Sequence, residues 1–218
     1  MAAEQFRLIG SRVRAFGQER SLGAIGVVSA TPGEGKTTVS IGIARSLALR
    51  GRDRVLLLEA DLRRPSLDRT LGLVPPAIGV RQHLEGAEGP LQLRSLGAGS
   101  GCWVLSAGEG TTSEPDIIAS PRMAALLDAA RRGFSYVVVD CPPLVPVADA
   151  FVLQDHLDGF VFVVRSRHAP RETVVRATSL LKPGAILGIV LNAHHEIIPS
   201  YHSYGYRQYY GKETEPKP

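Results

Sequence analysis

Ten residues carry the most legible chemistry in the chain: Ser29-Ala30-Thr31-Pro32-Gly33-Glu34-Gly35-Lys36-Thr37-Thr38. They join an apolar run, Ala24 to Val28, to a helix-like run, Val39 to Leu49. Glycines at 33 and 35 permit a tight turn whose backbone N–H groups converge on an anion. The following helix aims the partial positive charge of its N-terminus at the same point. Lys36 supplies a cation for the β- and γ-phosphates of a nucleotide, and Thr37 a hydroxyl for Mg²⁺. Gly33, Glu34, Gly35, Lys36, Thr37 and Thr38 are therefore the candidate nucleotide-binding residues. Ala30 stands where the strict phosphate-binding loop has glycine, so the loop is a variant. The competing reading is a Gly-rich strand-to-helix turn without a ligand. A strand before, a helix after and Gly-Lys-Thr at the junction favour phosphate.

Two acidic strand ends extend this chemistry. Val55 to Leu58 reads as a buried strand that runs into Glu59-Ala60-Asp61-Leu62-Arg63-Arg64-Pro65. In α/β sheets the C-terminal strand ends line the ligand edge. Residues two apart on an extended strand share a side, so Glu59 and Asp61 can both face the phosphates. The alternative is a polar loop with helix-capping acids. Tyr136-Val137-Val138-Val139-Asp140-Cys141-Pro142-Pro143 is a second buried strand, mostly β-branched, with Asp140 at its end. A carboxylate there, beside a phosphate-loop strand, is suited to organising Mg²⁺ in phosphoryl transfer. The alternative is an Asp that caps the next turn.

These residues must be positioned by regular elements, and the rest of the chain supplies them. Glu4 to Phe16 predicts an amphipathic helix with Phe6, Ile9, Val13 and Phe16 on one stripe. That helix either packs on its own core or docks on a neighbouring subunit. Short helices are predicted over Leu67–Leu71 and Val80–Leu84, with the Gly- and Pro-rich remainder of 66–100 unassigned. Trp103 to Leu105 reads as a strand, and Pro121 to Arg132 as a helix with proline near N1 and Gly133 past its end. Asp149–Asp155 and Arg171–Leu181 read as helices, Phe160–Val164 and Ile186–Leu191 as strands, the last ending at Asn192. Alternating strands and helices predict an α/β fold: a mostly parallel sheet with helices on both faces. Three segments are expected: an N-terminal helix (1–20), a nucleotide-binding domain (21–195) and a tail (196–218).

Composition narrows the class. With 218 residues and 44% hydrophobic residues, the chain suffices for one large core, and 21% charged residues is ordinary for a globular protein. The net charge of +4 comes mostly from scattered arginines, without the basic block that tracks nucleic acid. Two cysteines, Cys102 and Cys141, are too few for a disulfide framework or a zinc site, and are expected as buried free thiols. No stretch approaches the ~20 apolar residues of a membrane span, so a cytoplasmic chain is expected. The tail is the compositional outlier. Tyr201, Tyr204, Tyr206, Tyr209 and Tyr210 are five of the six tyrosines, interleaved with polar residues and no aliphatic ones. Such a segment builds no core face. It reads as an exposed set of phosphate acceptors, against a docking strip or a stacking strip for nucleic acid.

Together these motifs resemble the bacterial tyrosine kinases of capsule and exopolysaccharide systems. The resemblance is carried by Pro32-Gly33-x-Gly35-Lys36-Thr37, by Glu59-x-Asp61-x-Arg63 and by Asp140-x-Pro142-Pro143. The Leu191-Asn192 strand end, the stretch from Glu114 to Met123 and the tyrosine cluster extend it over nearly the whole chain. It implies an ATP- and Mg²⁺-dependent tyrosine autokinase. Lys36 would hold the phosphates, Thr37, Asp61 and Asp140 the metal, and Asn192 would contact adenine. Asp61 and Glu59 would assist the metal or deprotonate the acceptor tyrosine.

The resemblance also implies partners. The tail of one subunit would enter a neighbour's site within a homo-oligomeric ring. Phosphates adding roughly −1.5 to −2 charge each would open that ring, and a cognate tyrosine phosphatase would reset it. The activator would be a membrane-spanning polysaccharide co-polymerase on a separate chain, recruiting the kinase to the inner membrane face. Two positions depart from the family pattern: Glu59 replaces Asp, and Gly10 replaces the last Arg of the family's Glu-x-x-Arg-x-x-Arg ring motif, here Glu4-x-x-Arg7-x-x-Gly10. The alternatives are a ParA/MinD-type ATPase switch and a nucleotide-dependent scaffold. The former usually carries an additional lysine early in the loop, where this chain has Thr31.

Overall fold

The computed structural model describes residues 2–20, 23–49, 53–97, 99–111, 117–145 and 149–193. The tail tyrosines, and Glu114 to Asp116 of the linker before the 121–133 helix, lie outside the described residues. In chain order the elements are α1 (Ala2–Arg20), β1 (Ala24–Ser29), α2 (Lys36–Ala48), β2 (Val55–Glu59), α3 (Leu67–Leu71) and α4 (Val80–Glu85). They continue through β3 (Arg94–Ser95), β4 (Cys102–Leu105), α5 (Pro121–Gly133), β5 (Tyr136–Asp140), α6 (Asp149–Leu153), β6 (Gly159–Arg165), α7 (Arg171–Ser179) and β7 (Ile186–Asn192). The strands form one sheet in the order β3-β4-β2-β5-β1-β6-β7. Every pairing is parallel except β3 with β4.

Strict alternation along the buried strands sends side chains to two cores. Val137 and Val139 join Leu56, Leu58, Met123 of α5 and Ala177 of α7 on one face. Val138 joins Val55, Leu57 and the α2 residues Val39, Ile43 and Leu47 on the other. Because β1, β2 and β5 are adjacent and parallel, the loops at their C-terminal ends converge. Register sets the convergence: Glu59 stands opposite Asp140 across β2–β5, and Val27 opposite Asp140 across β1–β5.

The N-terminal helix packs on its own core. Val13 is buried in the α2-side cluster, with Phe6, Ile9 and Phe16 against it. Gly10 fits where no side chain does, since a Cβ there would lie 2.3 Å from Ser46 Oγ. The departure from the ring motif at this position is thus a close α1–α2 contact. Arg14 fastens the pair, with an ion pair to Asp53, a 2.5 Å bond to the Leu47 carbonyl and a guanidinium 5.9 Å from the Tyr136 ring centroid. Glu4 and Arg7 remain exposed, 3.4 Å apart.

The stretch that sequence left unassigned is tied down by one arginine. Arg94, on the two-residue antiparallel strand β3, bonds Asp68, the Ser106 hydroxyl (2.6 Å) and the Val74 carbonyl (2.5 Å). Both cysteines are buried free thiols. Among the described residues no helix is long and apolar enough to cross a membrane.

Candidate active site

The phosphate loop is shaped by two left-handed glycines, Gly33 (φ 82°) and Gly35 (φ 94°). At Gly35 space reinforces conformation, because an added Cβ would meet the Asn192 amide nitrogen at 2.2 Å. The loop is braced from the β6–β7 side. His168 Nε2 lies 2.8 Å from the Pro32 carbonyl oxygen, Arg165 donates to the Gly33 carbonyl at 3.1 Å, and Asn192 Nδ2 donates to the Glu34 carbonyl at 2.8 Å. In a planar trans peptide the next residue's N–H points opposite the carbonyl. Holding three successive carbonyls from one side therefore turns the N–H groups of Gly33, Glu34 and Gly35 toward the other. N–H groups so turned can receive an anion; of the three braces the sequence singled out Asn192, for a different contact, and neither Arg165 nor His168.

Glu34 contributes through its backbone, because its buried carboxylate is engaged elsewhere. Oε1 accepts from Thr31 N (2.7 Å) and Thr31 Oγ1 (2.9 Å), and Oε2 from Arg165 N (3.1 Å). Asn192, directed by the resemblance to adenine, has its amide nitrogen on the loop and its Oδ1 accepting from Ala193 N at 2.9 Å. Lys36 begins α2, is only 7% exposed, and places Nζ 4.0 Å from Asp61 Oδ2. Thr38 is exposed on the same first turn. Asp61 is half-buried, and its Oδ1 accepts from Arg64 N at 3.2 Å.

The two strand-end carboxylates differ in their partners. Asp140 is 1% exposed, with Oδ1 3.1 Å from the Ser40 hydroxyl and Oδ2 buried without a partner. Burial lifts its carboxyl to about 6, against the pull of the nearby Thr37 hydroxyl and Lys36 charge. Glu59 is equally buried but fully engaged. Oε1 accepts from Ser66 N (2.6 Å) and Leu67 N (2.7 Å), and Oε2 from Ala107 N (3.0 Å). Burial raises it to about 7 despite these three donors. Of the two readings open for this acid, its contacts are those of a helix-capping group.

An unpartnered buried carboxylate oxygen beside a threonine hydroxyl and a lysine suits a hard cation bound with phosphate. Mg²⁺ takes one or two carboxylates and fills its remaining positions with phosphate oxygens and water. No group of three or more His, Cys, Asp or Glu with metal-holding geometry occurs among the described residues, and such a site needs none. Lys36, Thr37, Asp61 and Asp140 are brought together as expected. Ser66, whose hydroxyl lies 2.8 Å from Thr37 Oγ1, was missed. Its sequence signal, a serine before a short helix, is that of an ordinary cap.

The ParA family model, described as NUBPL iron-transfer P-loop NTPase, matches residues 22–215. The chain is 29% identical to the tyrosine-protein kinase YwqD of Bacillus subtilis (strain 168) over 212 residues, covering 94% of this chain and 85% of that protein. It is 34% identical over 178 residues to the succinoglycan biosynthesis transport protein ExoP of Rhizobium meliloti (strain 1021), covering 77% of this chain but only 22% of ExoP. The crystal structure of the VpsO kinase domain superposes with a TM-score of 0.76 at 28% identity, over 88% of this chain and 93% of that one. The chain belongs to the ParA family of P-loop NTPases, and within it resembles the bacterial tyrosine kinases over most of its length.

Proposed function

We propose that the chain is an ATP- and Mg²⁺-dependent protein-tyrosine autokinase that phosphorylates Tyr201, Tyr204, Tyr206, Tyr209 and Tyr210. The observation that carries the reading is the unpartnered buried Oδ2 of Asp140, placed beside Thr37 and Lys36 at the mouth of the phosphate loop. The loop N–H groups and Lys36 hold the phosphates. Thr37 and Asp140, with Asp61, hold the cation, which when bound neutralises charge on the β- and γ-phosphate oxygens. The tyrosine oxygen forms a bond to the γ-phosphorus as the bond to the bridging oxygen breaks, and ADP leaves. Asp61, half-buried next to Lys36, takes the phenolic proton. Little basicity is required, because phosphoryl transfer has a loose transition state in which positioning and charge dominate. Glu59, held by backbone donors, shapes the site and leaves the proton to Asp61.

The tyrosine-kinase relatives support the acceptor chemistry, and ExoP supports a link to polysaccharide export. The activator in this reading is a membrane-spanning polysaccharide co-polymerase on a separate chain. Assembly as a homo-oligomer and a cognate tyrosine phosphatase complete the cycle. The ATPase-switch alternative is disfavoured at Thr31, whose hydroxyl is bound inside its own loop at 2.9 Å from Glu34.

The test is mass spectrometry of the full chain before and after Mg²⁺-ATP, with Lys36→Met as control. Phosphate on residues 201–210 of the wild type, absent in Lys36→Met, supports the kinase. ATP hydrolysis without modified tyrosine, with or without a co-polymerase's cytoplasmic segment, overturns it in favour of the switch.

A further inference from the structure

Ser66 occupies the N-cap position of α3. A serine there ordinarily turns its hydroxyl back onto an amide of the first helical turn. Ser66 makes no such bond, and its hydroxyl lies instead 2.8 Å from Thr37 Oγ1 on the phosphate loop. The amides at the start of α3 are satisfied from elsewhere: Glu59 Oε1 takes Ser66 N at 2.6 Å and Leu67 N at 2.7 Å. Its other oxygen takes Ala107 N at 3.0 Å, so one buried carboxylate joins the end of β2, the start of α3 and the loop after β4. Glu59 has taken over the capping role and released the Ser66 hydroxyl toward Thr37. The departure from the family pattern at Glu59 accounts for a serine out of its usual role.

A threonine hydroxyl that offers its oxygen to a dication has to direct its proton elsewhere. Thr37 lies close enough to Asp140 to favour its charged form, while its hydroxyl pairs with that of Ser66 at 2.8 Å. An Asp140 carboxylate turned to a cation offers Thr37 no acceptor, whereas the Ser66 oxygen, 2.8 Å away, does. Either hydroxyl of the pair can donate, so Ser66 changes from donor to acceptor by rotation alone. We propose that Ser66 is a positioning residue for the divalent cation: its oxygen accepts a hydrogen bond from the Thr37 hydroxyl and so fixes the Thr37 oxygen toward the metal, and Glu59 holds Ser66 in place. The proposal rests on the Mg²⁺-nucleotide reading of the site.

The experiment is calorimetric titration of the full chain with ADP, in Mg²⁺ and in EDTA, for wild type, Ser66→Ala, Ser66→Gly and Ser66→Thr. The wild type binds ADP more tightly in Mg²⁺. Both hydroxyl-free variants lose about tenfold of that Mg²⁺-dependent gain, the scale of an outer-sphere metal partner. Their affinity in EDTA stays within about twofold of wild type, and Ser66→Thr retains the gain. Glycine is nearly as good as serine at an N-cap, so Ser66→Gly separates the hydroxyl from the fold. A full Mg²⁺ gain in Ser66→Ala or Ser66→Gly overturns the proposal, and so does an equal loss with and without metal, which marks a merely structural serine. No Mg²⁺ gain in the wild type itself overturns the Mg²⁺-nucleotide reading and the proposal with it.

Discussion

Glu59 and Asp140 end neighbouring strands, stand opposite one another in the sheet and are equally buried, but only one is fully partnered. Glu59 accepts three backbone N–H groups from two segments remote from its own strand. Asp140 has the Ser40 hydroxyl on one oxygen and nothing on the other. Burying an unpaired carboxylate oxygen costs free energy that the fold alone does not recover. The first acid is a fastener whose loss weakens the fold. The second, in the function proposed, is a binding group whose cost a cation would recover.

Substitution should separate the two in opposite directions. Asp140→Asn removes a charge aimed at the cation and is expected to lower phosphotyrosine formation on the order of a hundred- to a thousandfold. Its nucleotide-free thermal midpoint should not fall. Glu59→Gln sets an amide NH₂ against backbone donors, and Glu59→Asp withdraws the carboxylate by one methylene from amides it must span. Each should cost about 2 kcal/mol, or ~4–8 °C in melting midpoint for a chain of this size. If Glu59→Asp melts like wild type, the fastener reading is wrong.

Acidity sharpens the contrast. Both folded-state values, about 6 for Asp140 and about 7 for Glu59, lie above the ordinary 3.8 and 4.5. The folded chain therefore binds these protons more tightly than the unfolded one. The resulting stabilisation is whole below the ordinary values and lost as pH climbs through the folded ones. Melting curves of nucleotide-free wild type and Asp140→Asn should thus diverge, with wild type losing ground between about pH 4 and about pH 6. A constant difference across that range removes Asp140 as the titrating group. The smallest effect belongs to the loop's outer brace. Arg165→Ala deletes one exposed bond to the Gly33 carbonyl, and should weaken ADP binding about fivefold, near 1 kcal/mol.

Much of this was legible in the chain. Strand–loop–helix periodicity placed β1, α2, β2 and β5, and buried β-branched runs put Asp140 at a strand end. The two-residue β3 was not legible, because a pairing that short has no period. Nor were the loop braces Arg165 and His168, which lie more than 130 positions from the carbonyls they meet. Glu59 was read in both of its possible senses, and its three backbone-amide contacts are those of a cap. No side-chain pattern encodes where those amides will be. Ser66 was hidden for the same reason: its type announces a cap, and its use depends on another residue having taken the cap.

The most direct measurement is the thermal shift produced by Mg²⁺-ADP in wild type, Asp140→Asn and Glu59→Gln, each against metal-free ADP. The account predicts a large added shift from Mg²⁺ in wild type and almost none in Asp140→Asn from an undiminished starting midpoint. Glu59→Gln should start lower. An Asp140→Asn protein that keeps the full Mg²⁺ shift would contradict the assignment of Asp140 to the cation and, with it, the phosphotransfer site built around that residue.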